Sequence, residues 1–275
     1  MMRYIKLVNF EINRFSKIYL SLLLITLVSQ FAGVIFVTKS LLKDAREIMK
    51  EERLSEAAYI TNYGGIDFNH IANTLLFVGP IALSAVALIF YIFLIWYRDW
   101  FGKNTFIYRL LMLPTSRLSI YLSKATAIFL MVLGLIAFQI IILPMENALF
   151  NSNVPEALLN EMSISTISKA NPVLSLIIPS TFTQFLLSYG IGLMIMSILF
   201  TAIMFERSFR IKGIIFGLVY CGLAAVLFLA PVLMEIGNFY FYPNELFGLL
   251  LAIGIILTGL SVWLGAWLLK NRVTV

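Results

Sequence analysis

Charged residues are scarce in this chain, and six long stretches contain none. Only 12% of the 275 residues are Asp, Glu, Lys or Arg, whereas soluble domains typically have about 25%. The uncharged stretches, which also lack histidine, are 18–37, 75–97, 125–143, 182–205, 213–234 and 246–269. About 20 apolar residues in a helix cross the roughly 30 Å hydrocarbon layer of a bilayer. The sequence therefore predicts an all-α integral membrane protein with six transmembrane helices, forming one domain over residues 1–275.

Cysteine and histidine are almost absent, with one residue of each. Cys221 lies inside the fifth predicted span, so an intrachain disulfide is impossible. His70 lies in a predicted loop without a second histidine or a cysteine nearby, which excludes metal sites and catalytic triads that need such neighbours. We therefore expect no catalytic residue and no metal site, and predict that the chain is not itself an enzyme.

The chain also lacks its own means of using ATP or an ion gradient. The stretch Gly102-Lys103-Asn104-Thr105 resembles the end of a P-loop. A P-loop needs a glycine five positions earlier, where Tyr97 stands, and Ser or Thr directly after the lysine, where Asn104 stands. The predicted spans also lack the charged groups that ion-coupled transporters place in the membrane. We expect no cofactor on this chain, so a transport function would draw its energy from another protein.

The distribution of basic residues predicts the orientation. Segments 1–17, 98–124, 206–212 and 270–275 hold 14 of the 20 Lys and Arg residues and three acids. The segments on the other side hold six basic and eleven acidic residues. Basic residues near span ends are retained in the cytoplasm. Both termini are therefore predicted to be cytoplasmic. The basic surplus would face anionic lipids of the inner leaflet, so it implies no nucleic-acid partner.

Loop 38–74 begins with a helical pattern in which acidic and basic residues interleave, such as Lys43 with Glu47. Such neighbours stabilise an exposed helix by a few tenths of a kcal/mol per pair. We expect a salt-bridged external helix that ends at Asn62-Tyr63-Gly64-Gly65. It is either a solvated cap or a sensing element. In the second external segment, 144–181, four prolines, beginning with Pro144, argue against one continuous helix.

Residues 3–17 form an amphipathic helix. Ile5, Val8, Ile12 and Phe15 recur at spacings of three and four, which places them on one helical face. Such a helix is expected to lie in the headgroup plane, in contact with membrane lipids, before the chain turns into the first span. It either anchors the N-terminus or has a mechanical role.

The segment between the second and third spans has a second short helix. Residues 106–113 are too apolar for a free cytoplasmic loop, and Pro114 should end that helix. A short apolar helix at the cytoplasmic face needs a surface to pack against, which we expect to belong to a partner.

This segment resembles the corresponding part of the permease subunits of type-2 ATP-binding-cassette (ABC) exporters. The shared pattern is a glycine, a threonine shortly after it, paired leucines, a Leu-Pro-x-Ser-Arg sequence and a lysine at the start of the third span. The matching residues here are Gly102, Thr105, Leu110-Leu111, Leu113-Pro114, Ser116-Arg117 and Lys124. The six spans, the cytoplasmic termini and the N-terminal amphipathic helix extend the resemblance over the whole chain.

The resemblance implies a function, partners and a location in a bacterial plasma membrane. The segment would be a coupling helix seated in a cytoplasmic ATP-binding subunit, which holds ATP and Mg²⁺. The complex would contain a second permease, identical or related. The docking residues would be Gly102, Thr105, Phe106, Arg109, Leu110, Leu113, Pro114 and Arg117. The long first loop and short segment 235–245 differ from polysaccharide exporters, which favours export of an amphiphilic substrate such as an antimicrobial peptide, bacteriocin or drug.

Two other functions remain as alternatives. A non-transporting membrane sensor or scaffold would use loop 38–74 to receive an external ligand. A membrane enzyme acting on lipids would need a nucleophile or a metal site, for which the sequence offers no candidate. Transport in membrane vesicles separates the first alternative from an exporter, because a sensor binds its ligand without ATP-dependent accumulation.

Overall fold

A computed structural model of the chain describes the backbone of residues 2–101, 106–112, 116–236 and 240–272. Regular structure in these ranges is helical, apart from one isolated β-bridge between Ile66 and Leu159. The helices are α1 (Met2–Glu51), α2 (Glu56–Tyr63), α3 (Asn69–Ala72), α4 (Leu75–Trp100), α5 (Phe106–Leu111), α6 (Arg117–Asn153), α7 (Ile164–Ala170), α8 (Pro172–Ile177), α9 (Phe182–Phe209), α10 (Ile211–Ile236) and α11 (Pro243–Asn271).

Six of these helices, α1, α4, α6, α9, α10 and α11, are long and apolar enough to cross a membrane. Their most apolar windows have mean hydropathies from 2.1 to 2.7. Each of the six predicted spans lies inside one of them. The all-helical fold with six membrane-spanning candidates is thus confirmed, and it gives the chain the character of a multi-pass membrane protein.

The N-terminal helix differs from the prediction. No turn separates residues 3–17 from the first span, because α1 is one helix of 50 residues. It contains no proline and a single glycine, Gly33, so nothing in its sequence forces a break. At about 1.5 Å per residue it is about 75 Å long, far more than a bilayer requires. The expectation of a separate interfacial helix followed by a turn is therefore wrong.

The third membrane-spanning helix also runs past its predicted end. Pro144 lies inside α6, which continues to Asn153. The segment 144–181 is not one continuous helix, as its four prolines predict, because it contains the end of α6 and the separate helices α7 and α8. Proline is tolerated within transmembrane helices when neighbouring groups satisfy the backbone. The extra turns carry Glu146, whose side chain is fully buried. Neither of its carboxyl oxygens has a hydrogen-bond partner in the part of the chain that the structure describes.

Residues with positive φ angles stand at two of the turns, the end of α2 and the connection between α9 and α10. Gly64 ends α2 with a φ of 83°, which confirms the predicted break at this position. Arg210, with a φ of 55°, stands between α9 and α10. Gly213 follows, and a Cβ at this position would lie 2.0 Å from the carbonyl oxygen of Phe205. The α9–α10 connection therefore requires glycine at 213.

The helices are grouped into two compact units. One comprises Met1–Arg14, Leu88–Leu130 and Phe182–Val275, and the other comprises Phe15–Ala87 and Met131–Thr181. Helices α1, α4 and α6 contribute residues to both.

The first unit is organised around three mutually contacting rings. The ring centroids of Trp96 on α4, Tyr121 on α6 and Phe200 on α9 are 5.4 to 6.1 Å apart. The Tyr121 hydroxyl donates a hydrogen bond of 3.0 Å to the carbonyl oxygen of Ser197. Gly265 on α11 lies so close that a Cβ would come within 2.5 Å of the Tyr121 ring. These contacts hold α4, α6, α9 and α11 together.

The second unit has an aromatic centre of its own. Phe68 makes edge-to-face contacts with Phe77 on α4 and Phe150 on α6, at centroid distances of 5.9 and 5.7 Å. The side-chain oxygen of Asn171 accepts hydrogen bonds from two backbone N–H groups at the start of α8, and its amide donates 2.8 Å to the carbonyl of Ala72. The short helices α3 and α8 are thereby fixed to each other.

Candidate functional site

A buried lysine forms the centre of an ionic network in the first unit. The Nζ atom of Lys124, on α6, donates to Oε1 of Glu11 on α1 and to Oδ2 of Asp99 on α4, each at 2.6 Å. It also donates 2.9 Å to the carbonyl of Ile95 and lies 5.1 Å from the centroid of the Trp96 ring. The Lys124 side chain has no exposed surface. One ammonium group therefore connects α1, α4 and α6.

Two arginines complete this network. Arg14 donates 2.6 Å to Oδ1 of Asp99, and Arg98 donates 3.2 Å to Oε2 of Glu11. Each carboxylate thus contacts Lys124 through one oxygen and an arginine through the other. The three cations and two carboxylates leave a formal charge of +1. The network is defined here as Glu11, Arg14, Arg98, Asp99 and Lys124.

The network lies where the sequence predicts the cytoplasmic ends of the first three spans. Removing one charge of a buried, hydrogen-bonded ion pair typically costs about 3–5 kcal/mol, because the remaining charge stays buried and uncompensated. A displacement of any of these three helix ends relative to the others would separate the paired charges. The network therefore favours movement of the three ends as one body.

The short helix α5 packs against the same part of the protein. Ile107 is fully buried and Leu110 is 2% exposed. They form a cluster with Ile120 of α6, against which Leu7 of α1 and Trp100 of α4 also pack. The expectation that the apolar side of this helix faces a partner is wrong for Leu110, since the chain itself covers that side chain.

Other residues of this segment face outward. Arg109 on α5 is exposed, Met112 directly after α5 is 72% exposed, and Phe101 is 68% exposed. Met112 and Phe101 present apolar surface outside the predicted spans, in amounts that single exposed residues commonly show. A short segment with one buried and one exposed side is suited to transmit a movement from a partner to the bundle.

The remaining predicted docking residues fall into two groups. Gly102, Thr105, Leu113 and Pro114 lie outside the described residues, as does the side chain of Phe106. Arg117 is described, and its guanidinium donates to the carbonyl oxygens of Leu269 and Lys270 at the end of α11. These bonds attach the start of α6 to the last helix, whereas the resemblance implies that Arg117 contacts the ATP-binding subunit.

The predicted interfacial face of α1 is largely covered by protein. Val8 is 7% exposed and Phe15 is 3% exposed, while Ile12 is half-buried. Of the four, only Ile5, at 58%, is exposed as a lipid-facing group would be. Tyr4 shares a hydrogen bond of 2.5 Å with Thr126 on α6. The apolar face that the spacing predicts exists, but it packs mainly on the chain instead of on lipid.

A further cation outside the network contacts the end of α4. The Arg207 guanidinium, on α9, lies 4.6 Å from the Tyr97 ring, 5.6 Å from the Trp100 ring and 5.4 Å from the Phe101 ring. The neighbouring Glu206 accepts a hydrogen bond from the Tyr97 hydroxyl. Cation–π contacts of this kind contribute about 0.5–1 kcal/mol each at exposed sites. They connect α9 to the end of α4, from which the chain leads into α5.

Sequence reasoning did not identify the ionic network. The rarity of acids is a hint of such paired charges, since Glu11 and Asp99 are two of only three acids in the predicted cytoplasmic segments. Lys124 was singled out only through the family resemblance. The pairing depends on the rotation and register of three helices, which a single sequence does not specify.

Comparison with known proteins identifies no relative. Neither a protein-family model, nor a curated protein, nor a solved structure gives a significant match to this chain.

Proposed function

We propose that this chain is the membrane-spanning permease subunit of an ABC exporter, driven by ATP hydrolysis on a separate cytoplasmic subunit. The observation that supports this most is the position of α5. Its inner side is anchored by Ile107 and Leu110, its outer side presents Arg109 and leads to the exposed Met112, and it packs directly on three membrane-spanning helices. The motif from Gly102 to Lys124 supports the same assignment.

The proposed mechanism transmits force from the partner to the spans. The ATP-binding subunits hold ATP and Mg²⁺ and contact the outer side of α5. Their closure displaces α5, and the cluster around Ile107 passes the displacement to α1, α4 and α6. The ionic network keeps these three helix ends together, so they move as one body. Two permease halves then rearrange around a central path and release an amphiphilic substrate outward.

A membrane sensor remains the second candidate. The observation that favours it is the compact second unit, in which the short helices α3, α7 and α8 and the end of α1 surround a buried core. A folded external part of this size could receive a ligand. The sensor function does not account for helix α5, which is buried on one side and exposed on the other. An exporter does, because its ATP-binding subunit would dock on the exposed side.

Co-expression tests the proposal. The chain, carrying an affinity tag, is produced together with a cognate ATP-binding subunit and extracted in mild detergent. We expect the two proteins to purify as a complex with ATPase activity inhibited by vanadate. A chain that is well folded and monodisperse yet never retains the ATP-binding subunit would contradict the proposal and favour the sensor.

A further inference from the structure

The outer end of α1 carries a row of four cations. Lys39, Lys43, Arg46 and Lys50 are spaced by four, three and four residues. At about 100° per residue in a helix they fall within an arc of about 60°. All four are exposed, and they line one shallow surface depression. We call these four residues the basic row.

Acidic residues hardly neutralise this row. Glu47 borders it and pairs with Lys43 at 3.6 Å, with both side chains largely exposed. In the described chain, Lys39, Arg46 and Lys50 have no carboxylate within 4.0 Å. Asp44 and Glu51 lie about 120–140° around the helix from Lys39. The expected pair of Lys43 with Glu47 is therefore present, while Asp44 and Glu51 lie away from the row.

The basic row is held rigidly by the opposite face of the same helix. Ala45 is fully buried, and Leu41, Ile48 and Met49 pack against the core of the second unit. The backbone under the four cations is therefore fixed before any ligand arrives. A preorganised surface loses less conformational entropy on binding than a flexible one.

The direction of the row argues against lipid headgroups as its ligand. The predicted span ends at residue 37, so Lys39 lies about 3 Å and Lys50 about 20 Å beyond it along the helix. The headgroup layer is only about 5–8 Å thick on each side. Lipid phosphates would therefore reach Lys39 and leave Arg46 and Lys50 unoccupied.

The composition of the row argues against a protein partner. Protein interfaces are enriched in aromatic residues and arginine and depleted in lysine. The row has three lysines, one arginine and no aromatic residue. Lysine binds phosphate as a point charge. Cations about 4.5–6 Å apart along a helix axis suit an elongated ligand with regularly repeated negative charges.

We propose that the basic row binds a linear, phosphate-bearing polymer on the side of the membrane opposite the termini. This binding site goes beyond the proposed function and does not depend on it, because binding requires neither ATP nor a second subunit.

Fluorescently labelled sodium polyphosphate tests the proposal on the full chain in nanodiscs of uncharged lipid. We expect saturable binding by fluorescence anisotropy. Four phosphate contacts predict that affinity falls about 50-fold between roughly 50 and 200 mM salt. Replacing all four row residues by glutamine is expected to lower affinity at least about tenfold. The matched control replaces Lys6, Lys17, Lys212 and Lys270 by glutamine, which removes the same charge from other exposed positions.

The outcomes separate the possible ligands. Loss of binding in the row variant and retention in the control support the proposal. Equal loss in both variants means attraction by net charge alone and overturns it. Tighter binding of poly-glutamate than of polyphosphate of equal charge overturns it in favour of an acidic polypeptide. Loss of polyphosphate binding in nanodiscs that contain anionic lipid, whose headgroups would then occupy the row, overturns it in favour of headgroups.

Discussion

Replacing Asp99 by asparagine is expected to lower the Tm of the purified chain by about 6–20 °C. Asp99 is fully buried and accepts hydrogen bonds from Lys124 and Arg14. The substitution keeps the shape but removes one of two carboxylates that balance three cations. Leaving buried charge uncompensated costs about 3–5 kcal/mol, and each kcal/mol corresponds to about 2–4 °C in a chain of this size class.

A second substitution within the network should restore part of the lost thermal stability. Adding Lys124→Met to Asp99→Asn removes a buried cation that has lost one of its carboxylates, so the double variant should recover part of the lost Tm. Lys124→Met alone leaves two cations with two carboxylates and should cost less than Asp99→Asn. Glu47→Gln serves as the control, because its pair with Lys43 is exposed and worth only a few tenths of a kcal/mol. Additive effects of the two network substitutions would show that the paired charges are not coupled.

Two substitutions two residues apart, at Leu110 and Met112, should separate folding from docking. Leu110→Asp places a charge where only 2% of the side chain is exposed. We expect a loss of at least about 3–5 kcal/mol, seen as poor accumulation or early thermal unfolding. Met112→Asp changes a side chain that is 72% exposed. That variant should keep its Tm and lose the co-purifying ATP-binding subunit.

The control for this pair keeps position 112 apolar. Met112→Leu conserves the volume and should retain the ATP-binding subunit, since such swaps usually cost less than about 1.5 kcal/mol. Thermal unfolding by intrinsic fluorescence and the recovered amount of ATP-binding subunit are measured on the same preparations. If Met112→Asp retains the subunit as well as Met112→Leu does, the exposed side of this segment is not the docking surface.

The spans could be predicted from the sequence because hydrophobicity over about 20 residues is a local property. The ends of the helices could not. The third span is predicted to end at residue 143, directly before Pro144, but α6 continues through this proline to Asn153. Likewise α1 passes Lys17 without a turn, since a helix that packs on protein has no need to bend into the headgroup plane.

The candidate site was predicted only in part. Periodicity placed Val8 and Phe15 on one apolar face, and composition marked the segment around Leu110 as apolar. Neither could show that the chain itself covers these side chains. The contacts of Lys124 with Glu11 and Asp99 join residues 113 and 25 positions apart. Such pairs depend on the packing of whole helices, which no local pattern encodes.

Transport by purified components tests the central proposal most directly. The chain and the ATP-binding subunit are reconstituted in proteoliposomes, and movement of a labelled amphiphilic peptide is followed with and without ATP. The account predicts ATP-dependent transport only when both proteins are present, and none after Met112→Asp. Transport by this chain alone, or unchanged transport without ATP, would contradict it.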